Sequence, residues 1–213
     1  FVSIFGMAAR GLVASLLLLL REAVGLSGAP RTQRPAPHVV LLCGLPGSGK
    51  STLAAAFRGL DWRVVSQDAL GSRGACEGAV RKALRAGDKV LVDRCNHDPK
   101  QRAHWTKLYA TYCDEEHWPP TGVDVVWLDV PLSECERRVM GRAAHPTLPP
   151  TEESRRVVRG FEAMFKAPKA SEAGVRRVVR VDAAVLREHF SDVTALAKSL
   201  ADAACDRSAG APG

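Results

Sequence analysis

The chain of 213 residues has no Cys-x-x-Cys pair, and its six cysteines (Cys43, Cys76, Cys95, Cys113, Cys135 and Cys205) lack nearby histidines at metal-ligand spacing. That scatter argues against a zinc site and against a disulfide framework; thiols buried in strands and helices imply a reducing compartment. Also missing is an apolar run of bilayer length. The stretch ending in Leu16–Leu20 reaches about half of the roughly 20 residues a span needs, so no membrane anchor is expected. No acid precedes Glu22, and Arg10 lies in an alanine-containing end, which reads either as a targeting segment or as a helix outside the domain. Internal repeats are not evident. The chain opens on Phe1, with Met7 as a candidate start, so a fragment or an internal translation is expected.

Hydrophobic residues make up 46% of the chain, enough for one core. Pro30, Pro35 and Pro37 mark Gly28–Pro37 as linker, giving a tail over 1–36, one domain over 37–205 and a second tail over 206–213. A net charge of +7 favours a polyanionic partner or a phosphorylated substrate, although a soluble basic surface accounts for it equally.

Against that background one octet stands out: Gly44, Leu45, Pro46, Gly47, Ser48, Gly49, Lys50 and Ser51, continued by Thr52. Two glycines spaced for a phosphate-cradling loop, then lysine and a hydroxyl residue, form the P-loop pattern. His38–Cys43 before it is a short apolar run, as expected of a buried parallel strand, and Ser51–Phe57 after it is helix-forming. Loop amides would sit at a positive helix N-terminus, where phosphate is stabilised. Lys50 is expected to bridge the β- and γ-phosphates of a nucleotide, and Ser51 to ligate Mg²⁺. Glycine is needed there for positive φ or for close approach to oxygen.

Strands alternate with helices through the rest of the domain. Arg63–Ser66, Lys89–Asp93, Gly122–Val130 and Arg176–Val181 read as strands. Cys76–Ala86, a helix capped by Asp98 with Pro99 at its first position, Leu132–Arg142 and Ala184–Ala203 read as helices. Trp105, Leu108, Tyr109 and Tyr112 share a face and should pack into the core. The order predicts an α/β fold with a five-stranded parallel sheet covered on both faces and ligands at the strand carboxyl ends.

Asp68, Asp93 and Asp129 stand at three such ends. Asp68 is placed to accept a proton from an attacking hydroxyl or, alternatively, to cap the next helix. Asp93 suits the acid that holds Mg²⁺, and Asp129, beside Pro131 and Ser133, ranks behind it. Arg138 and Arg142, four apart, would share a helix face and clamp phosphates; the plainer reading pairs Arg138 with Glu134. Arg102 near a helix N-terminus invites an anion. Arg155, Arg156, Arg159, Lys166 and Lys169 face either a nucleic-acid backbone or water.

The blocks at 44–52, Ser66–Gly71 and Val92–Pro99 with Arg102, the Arg138/Arg142 pair, and Phe161–Pro168 together resemble the kinase domain of polynucleotide 5′-hydroxyl kinases. The Asp93-Arg94-Cys95-Asn96 version is also similar to the kinase-like domain attached to plant and fungal aprataxin-type proteins. The resemblance covers about Pro37 to Val181. It implies a P-loop NTPase fold of the nucleoside-monophosphate-kinase-like type with a lid helix, ATP and Mg²⁺ as cofactors, and DNA or RNA 5′-hydroxyl ends as partners. By it Asp68 is the general base and Arg142 the lid arginine, Arg138 helps bind nucleotide, and Arg73, Asn96 and Arg102 join Asp68 at the substrate. It also implies a place in end repair beside fused or associated domains, in nucleus or cytoplasm, or in an organelle if the N-terminal segment is a transit peptide. Ser66-Gln67 stands where such kinases often have Asn-Arg, so substrate contacts there differ. Neither an aspartate-rich phosphatase motif nor a histidine-triad motif is present, so those activities do not carry over. A kinase for a small hydroxylated metabolite and a nucleotide-gated binding module without turnover stay open as alternatives.

Overall fold

In the computed structural model the described residues are 36–119, 121–142, 148–189 and 192–206. The expected targeting or linker segment over 1–35 and the tail over 207–213 lie outside them. Five strands form one parallel sheet: β1 (Val39–Cys43), β2 (Trp62–Ser66), β3 (Lys89–Asp93), β4 (Val123–Asp129) and β5 (Val175–Asp182), in the order β2-β3-β1-β4-β5. The helices are α1 (Lys50–Arg58), α2 (Gln67–Leu70), α3 (Arg73–Ala86), α4 (Pro99–Glu115), α5 (Leu132–Met140), α6 (Glu152–Met164), α7 (Ala183–Glu188) and α8 (Val193–Cys205).

The continuous apolar run of β1 has the cause expected of it, since alternate side chains serve two cores. Val39, Leu41 and Cys43 pack with Val80 and Leu84 of α3 and with Trp105, Leu108, Tyr109 and Tyr112 of α4. Val40 and Leu42 pack with Leu53 and Phe57 of α1 and with Leu196 and Leu200 of α8. The buried phenols are satisfied: Tyr109 donates to Pro37 O at 2.7 Å and Tyr112 to Leu84 O at 2.7 Å. All six cysteines are free, and burial pushes the Cys43 thiol up to about 12 and Cys135 up to about 11, leaving both as neutral packing groups.

Several elements differ from the sequence expectation: α2 is not among the expected helices, α3 begins at Arg73 rather than Cys76, α5 ends at Met140 rather than Arg142, and two differences are larger. The helix expected over 184–203 is divided into α7 and α8, because Asp182 accepts from Ala184 N and Val185 N while Asp192 starts a second helix by accepting from Ala195 N. The other is α6, which the sequence reading did not place; Thr151 caps it by accepting from Ser154 N.

A buried ionic group fastens α8 to the sheet. Asp124 of β4 is 3% exposed and accepts from Arg176 Nε at 2.8 Å, Arg176 Nη2 at 2.6 Å and Arg177 Nη2 at 2.9 Å. The same guanidiniums donate to Ala204 O at 2.6 Å and Ala203 O at 2.7 Å, carbonyls at the negative end of α8. Asp124→Ala strands both cations and should lower the unfolding free energy by about 3–5 kcal/mol, read from urea titration.

Candidate active site

β1 ends where the glycine loop begins, and the loop is tied to its neighbour strand's exit: Gly44 N–H donates to Cys95 O at 3.1 Å. Gly49, at φ 105, is the N-cap of α1 and supplies no side-chain cap, and no acid occupies the first turn. The leading N–H groups of α1 have no intrahelical acceptor and no side-chain cap, so they form an anion-binding end. Pro46, Gly47, Gly49, Lys50, Ser51 and Thr52 line a pocket of about 650 Å³, a volume suited to a small-molecule ligand. The Lys50 ammonium is buried and donates to Leu45 O at 2.7 Å and Gly44 O at 3.0 Å. Gly44, Leu45 and Ser48, expected to touch nucleotide, do not line the pocket. Leu45 packs instead with Val130, Cys135, Val139 and Val158. Ser48 is fully buried, with its carbonyl accepting from Arg138.

Glycine at 47 has the positive φ expected of the loop and a packing reason besides. At φ +88, its missing Cβ would stand 2.5 Å from Cys135 O. The crowding is with the backbone of α5, so this glycine lets α5 close onto the loop.

Asp93 and Asp68 reach the same pocket. The β2–β3 register pairs Ser66 with Asp93, and two residues beyond Ser66 the chain turns into α2 carrying Asp68. Asp93 is 8% exposed. Burial raises its pKa above the usual carboxylate value, against Lys50 and a hydrogen bond from Ser51, which lower it. Ser51 and Asp93 are therefore neighbours, an oxygen donor set that suits Mg²⁺, which takes one or two protein ligands and fills the rest with phosphate and water. Asp68 is exposed, and α3 is capped by Ser72, which accepts from Ala75 N, so the capping role open in the sequence falls elsewhere. Asp129 pairs with Arg180, Nε to Oδ2 at 2.7 Å, and does not line the pocket.

The arginines require corrections. Helix α5 stops at Met140 with Gly141 as its C-cap, so Arg138 and Arg142 do not share a helix face. Arg142 lines the pocket from the segment beyond. Arg138 does not: its Nε donates to Glu134 at 2.7 Å and its Nη1 to Ser48 O at 3.2 Å, bracing the loop from behind. Glu134 is held down to about 2 by hydrogen bonds from Arg137 and Arg138. Arg102, expected at the substrate, is fully buried and donates twice to Glu172. Burial disfavours its charge, but the Glu172 hydrogen bonds prevail and its pKa is raised. Asn96 lines the pocket, yet its side chain is spent internally: Nδ2 donates to Leu42 O at 2.7 Å and Oδ1 accepts from Trp105 Nε1 at 3.1 Å. Arg73 does line the pocket, donating to Gln101 Oε1 at 2.8 Å. Of the basic residues after α5, Arg155 is paired with Glu152 and Arg159 with Glu136.

Arg94 was missed, although its place directly after Asp93 at a strand end was a usable signal. Its guanidinium lies over Trp105, 5.6 Å from the ring centroid, and Nη1 is buried without a hydrogen-bond partner. Burial first, then the nearby Arg73, push its pKa down. Gln67, Cys95, His97, Gln101, Leu148, Val157 and Phe161 complete the lining. The last two come from α6, which the sequence reading did not place.

No family model matches the chain. Over 115 residues, 50% of this chain, it is 36% identical to transcription factor bHLH140 of Arabidopsis thaliana, but the match spans only 12% of that protein's length. Among solved structures it is similar to Chaetomium thermophilum Kti12 in complex with ADP-AlF3, with TM-score 0.57 and 14% identity over 79% of this chain and 100% of that one. A fungal RNA kinase gives TM-score 0.56 and 17% identity over 78% of this chain and 44% of that one. Mycobacterium tuberculosis APS kinase CysC, in complex with AMPPNP and APS, gives 0.50 and 20% over 79% and 97%. These likenesses establish the fold alone: the chain has the five-stranded parallel α/β fold seen in P-loop NTPases.

Gly47→Ala tests the packing role of the loop. Left-handed strain together with the Cys135 contact should cost about 1–3 kcal/mol in a urea titration. Gly78→Ala on α3, where a Cβ meets nothing within 4 Å, should instead stabilise by roughly 0.5–1 kcal/mol.

Proposed function

We propose that the chain is an ATP-dependent kinase that transfers the γ-phosphate to the 5′-hydroxyl of a DNA or RNA end, acting in end repair. The observation that carries this reading is one pocket that joins the open glycine loop to an exposed carboxylate, Asp68, and to two guanidiniums, Arg73 and Arg94. Among the described residues neither guanidinium has a carboxylate partner. A neutral sugar leaves both unmatched, whereas a nucleotide unit brings a phosphate beside its hydroxyl. The likeness to a fungal RNA kinase is in keeping with this choice.

The chain's residues divide the work. Loop amides and Lys50 bind the donor phosphates, the ammonium exchanging its Gly44 and Leu45 carbonyls for phosphate oxygen. Asp68 takes the proton of the attacking hydroxyl as its oxygen bonds to the γ-phosphorus, while the bridging bond to the β-phosphate breaks and ADP departs. Arg142 offsets the charge that spreads over the transferring group. When bound, Mg²⁺ supplies charge neutralisation at the phosphate oxygens, and Ser51 with Asp93 would hold it.

Labelled ATP with a 5′-hydroxyl oligonucleotide, set against sugars and nucleosides, tests the assignment. Label on the oligonucleotide is expected; label on a sugar points to a metabolite kinase, and strand binding without transfer to a non-turnover module. Asp68→Ala should cut transfer by about 10²-fold or more while ATP affinity by calorimetry holds within about threefold; undiminished transfer would overturn its role as base. Arg94→Met should lower kcat/KM for the oligonucleotide by about 10- to 100-fold, the worth of one charged hydrogen bond.

A further inference from the structure

Arg102 is a cation with no exposure, and its bonds reach Cys43, Asn96, Lys166 and Glu172. Nη1 donates to Asn96 O at 2.9 Å, to Lys166 O at 3.0 Å and, at 3.9 Å, to Cys43 Sγ, while Nε and Nη2 hold Glu172 at 2.8 Å and 2.6 Å. Asn96 belongs to the β3–α4 connection, which also supplies Arg94, Cys95 and His97 to the pocket directly after Asp93 of β3. Lys166 lies just past α6, the source of Val157 and Phe161 in the pocket wall. Glu172 precedes β5 and accepts from Lys169 N as well, closing the turn between them. Two further contacts run beside the guanidinium: Lys166 N–H donates to His97 O at 2.8 Å, and the Phe161 ring meets His97 edge-on at 5.1 Å.

We propose that Arg102 is a positioning residue that fixes the α6 wall of the pocket against the β3–α4 connection, and so sets where the acceptor lies relative to Asp68. The role follows from geometry. A planar fork with five donors satisfies a carboxylate and two carbonyls at once, which a lysine ammonium on a flexible stem cannot match. Toward the glycine loop Arg102 makes one long contact, Nη1 to Cys43 Sγ at 3.9 Å just before Gly44, and otherwise acts through Asn96 on Leu42 O and Cys95 on Gly44. Loss of Arg102 should therefore fall on the acceptor side and spare nucleotide binding. The inference rests on the kinase reading above for its kinetic readout, and a second readout does not.

The kinetic arm compares wild type, Arg102→Lys, and the double substitution Arg102→Met with Glu172→Met, which removes the pair together and leaves no stranded charge. Expected for both variants are cooperative unfolding, an acceptor kcat/KM lowered by about 10- to 100-fold through misplacement, and an ATP dissociation constant within about threefold of wild type. The lysine variant should be the less impaired. The second arm is amide hydrogen exchange without substrates, which should quicken over residues 94–98 and 157–166 and stay unchanged over 44–52. Folded variants with acceptor kcat/KM within about twofold of wild type overturn the proposal, as does equal loss of acceptor and ATP affinity, the signature of a merely structural residue. If wild type itself phosphorylates nothing, the kinase reading fails, and the exchange pattern alone decides the inference: uniform quickening, or none, rejects it.

Discussion

The pocket depends on where β1 lies. Its side chains are buried on both faces, so it can only be an interior strand, and its parallel pairing with β3 and β4 brings the glycine loop and Asp93 out at the same sheet edge. Right-handed crossovers leave little choice in the matter: a chain that moves from β1 to the edge strand β2 and back through β3 must deliver three carboxyl ends side by side. The Gly44-to-Cys95 and Asn96-to-Leu42 hydrogen bonds then lock the two loops together. Nucleotide-loop geometry and acid placement are thus consequences of one packing arrangement.

That arrangement shows why some features were legible in the sequence. The apolar run into Gly44, the glycine spacing, and the Asp98–Pro99 start of α4 are local signals whose physics is complete within a few residues. Asp93 ends an apolar strand and Asp68 lies just past another, and the topology brings both to the pocket, whereas Asp129 at a third such end pairs with Arg180. Long-range partners were another matter. Arg102 at a helix start resembles an anion site until Glu172, 70 residues away, is known to satisfy it. Asn96 resembles a substrate contact until Leu42 O and Trp105 claim both ends of its amide. In both cases the competing principle was satisfaction of buried polar groups, which depends on tertiary neighbours.

Helix ends were misread for a related reason. An i,i+4 spacing places Arg138 and Arg142 on one face only while the helix continues, and Gly141 ends it between them. The outcome separates the two arginines by function rather than by position on a common surface: one braces the loop's backbone, the other borders the pocket. The helix after residue 150 went unplaced since its arginines drew attention as charge rather than as part of an amphipathic pattern, yet Val158 on its inner face is fully buried.

The distribution of charge bears on the choice of acceptor. Read as a sum, +7 says little more than that the surface is basic. Read by position, it is selective. Arg63, Arg137, Arg159, Arg176 and Arg180 are each matched by a carboxylate on nearby structure. Arg73, Arg94 and Arg142, which border the pocket, have no such match among the described residues. Fields from unmatched charges inside a low-dielectric cleft are focused rather than screened, so they act on an entering anion more strongly than the paired cations outside. Arg94 makes the case most clearly. Seated over Trp105 with one buried, unpartnered N–H, it bears a desolvation cost that an anion entering the pocket would offset. On the reading proposed above, that cost favours a phosphate-bearing acceptor over a neutral polyol.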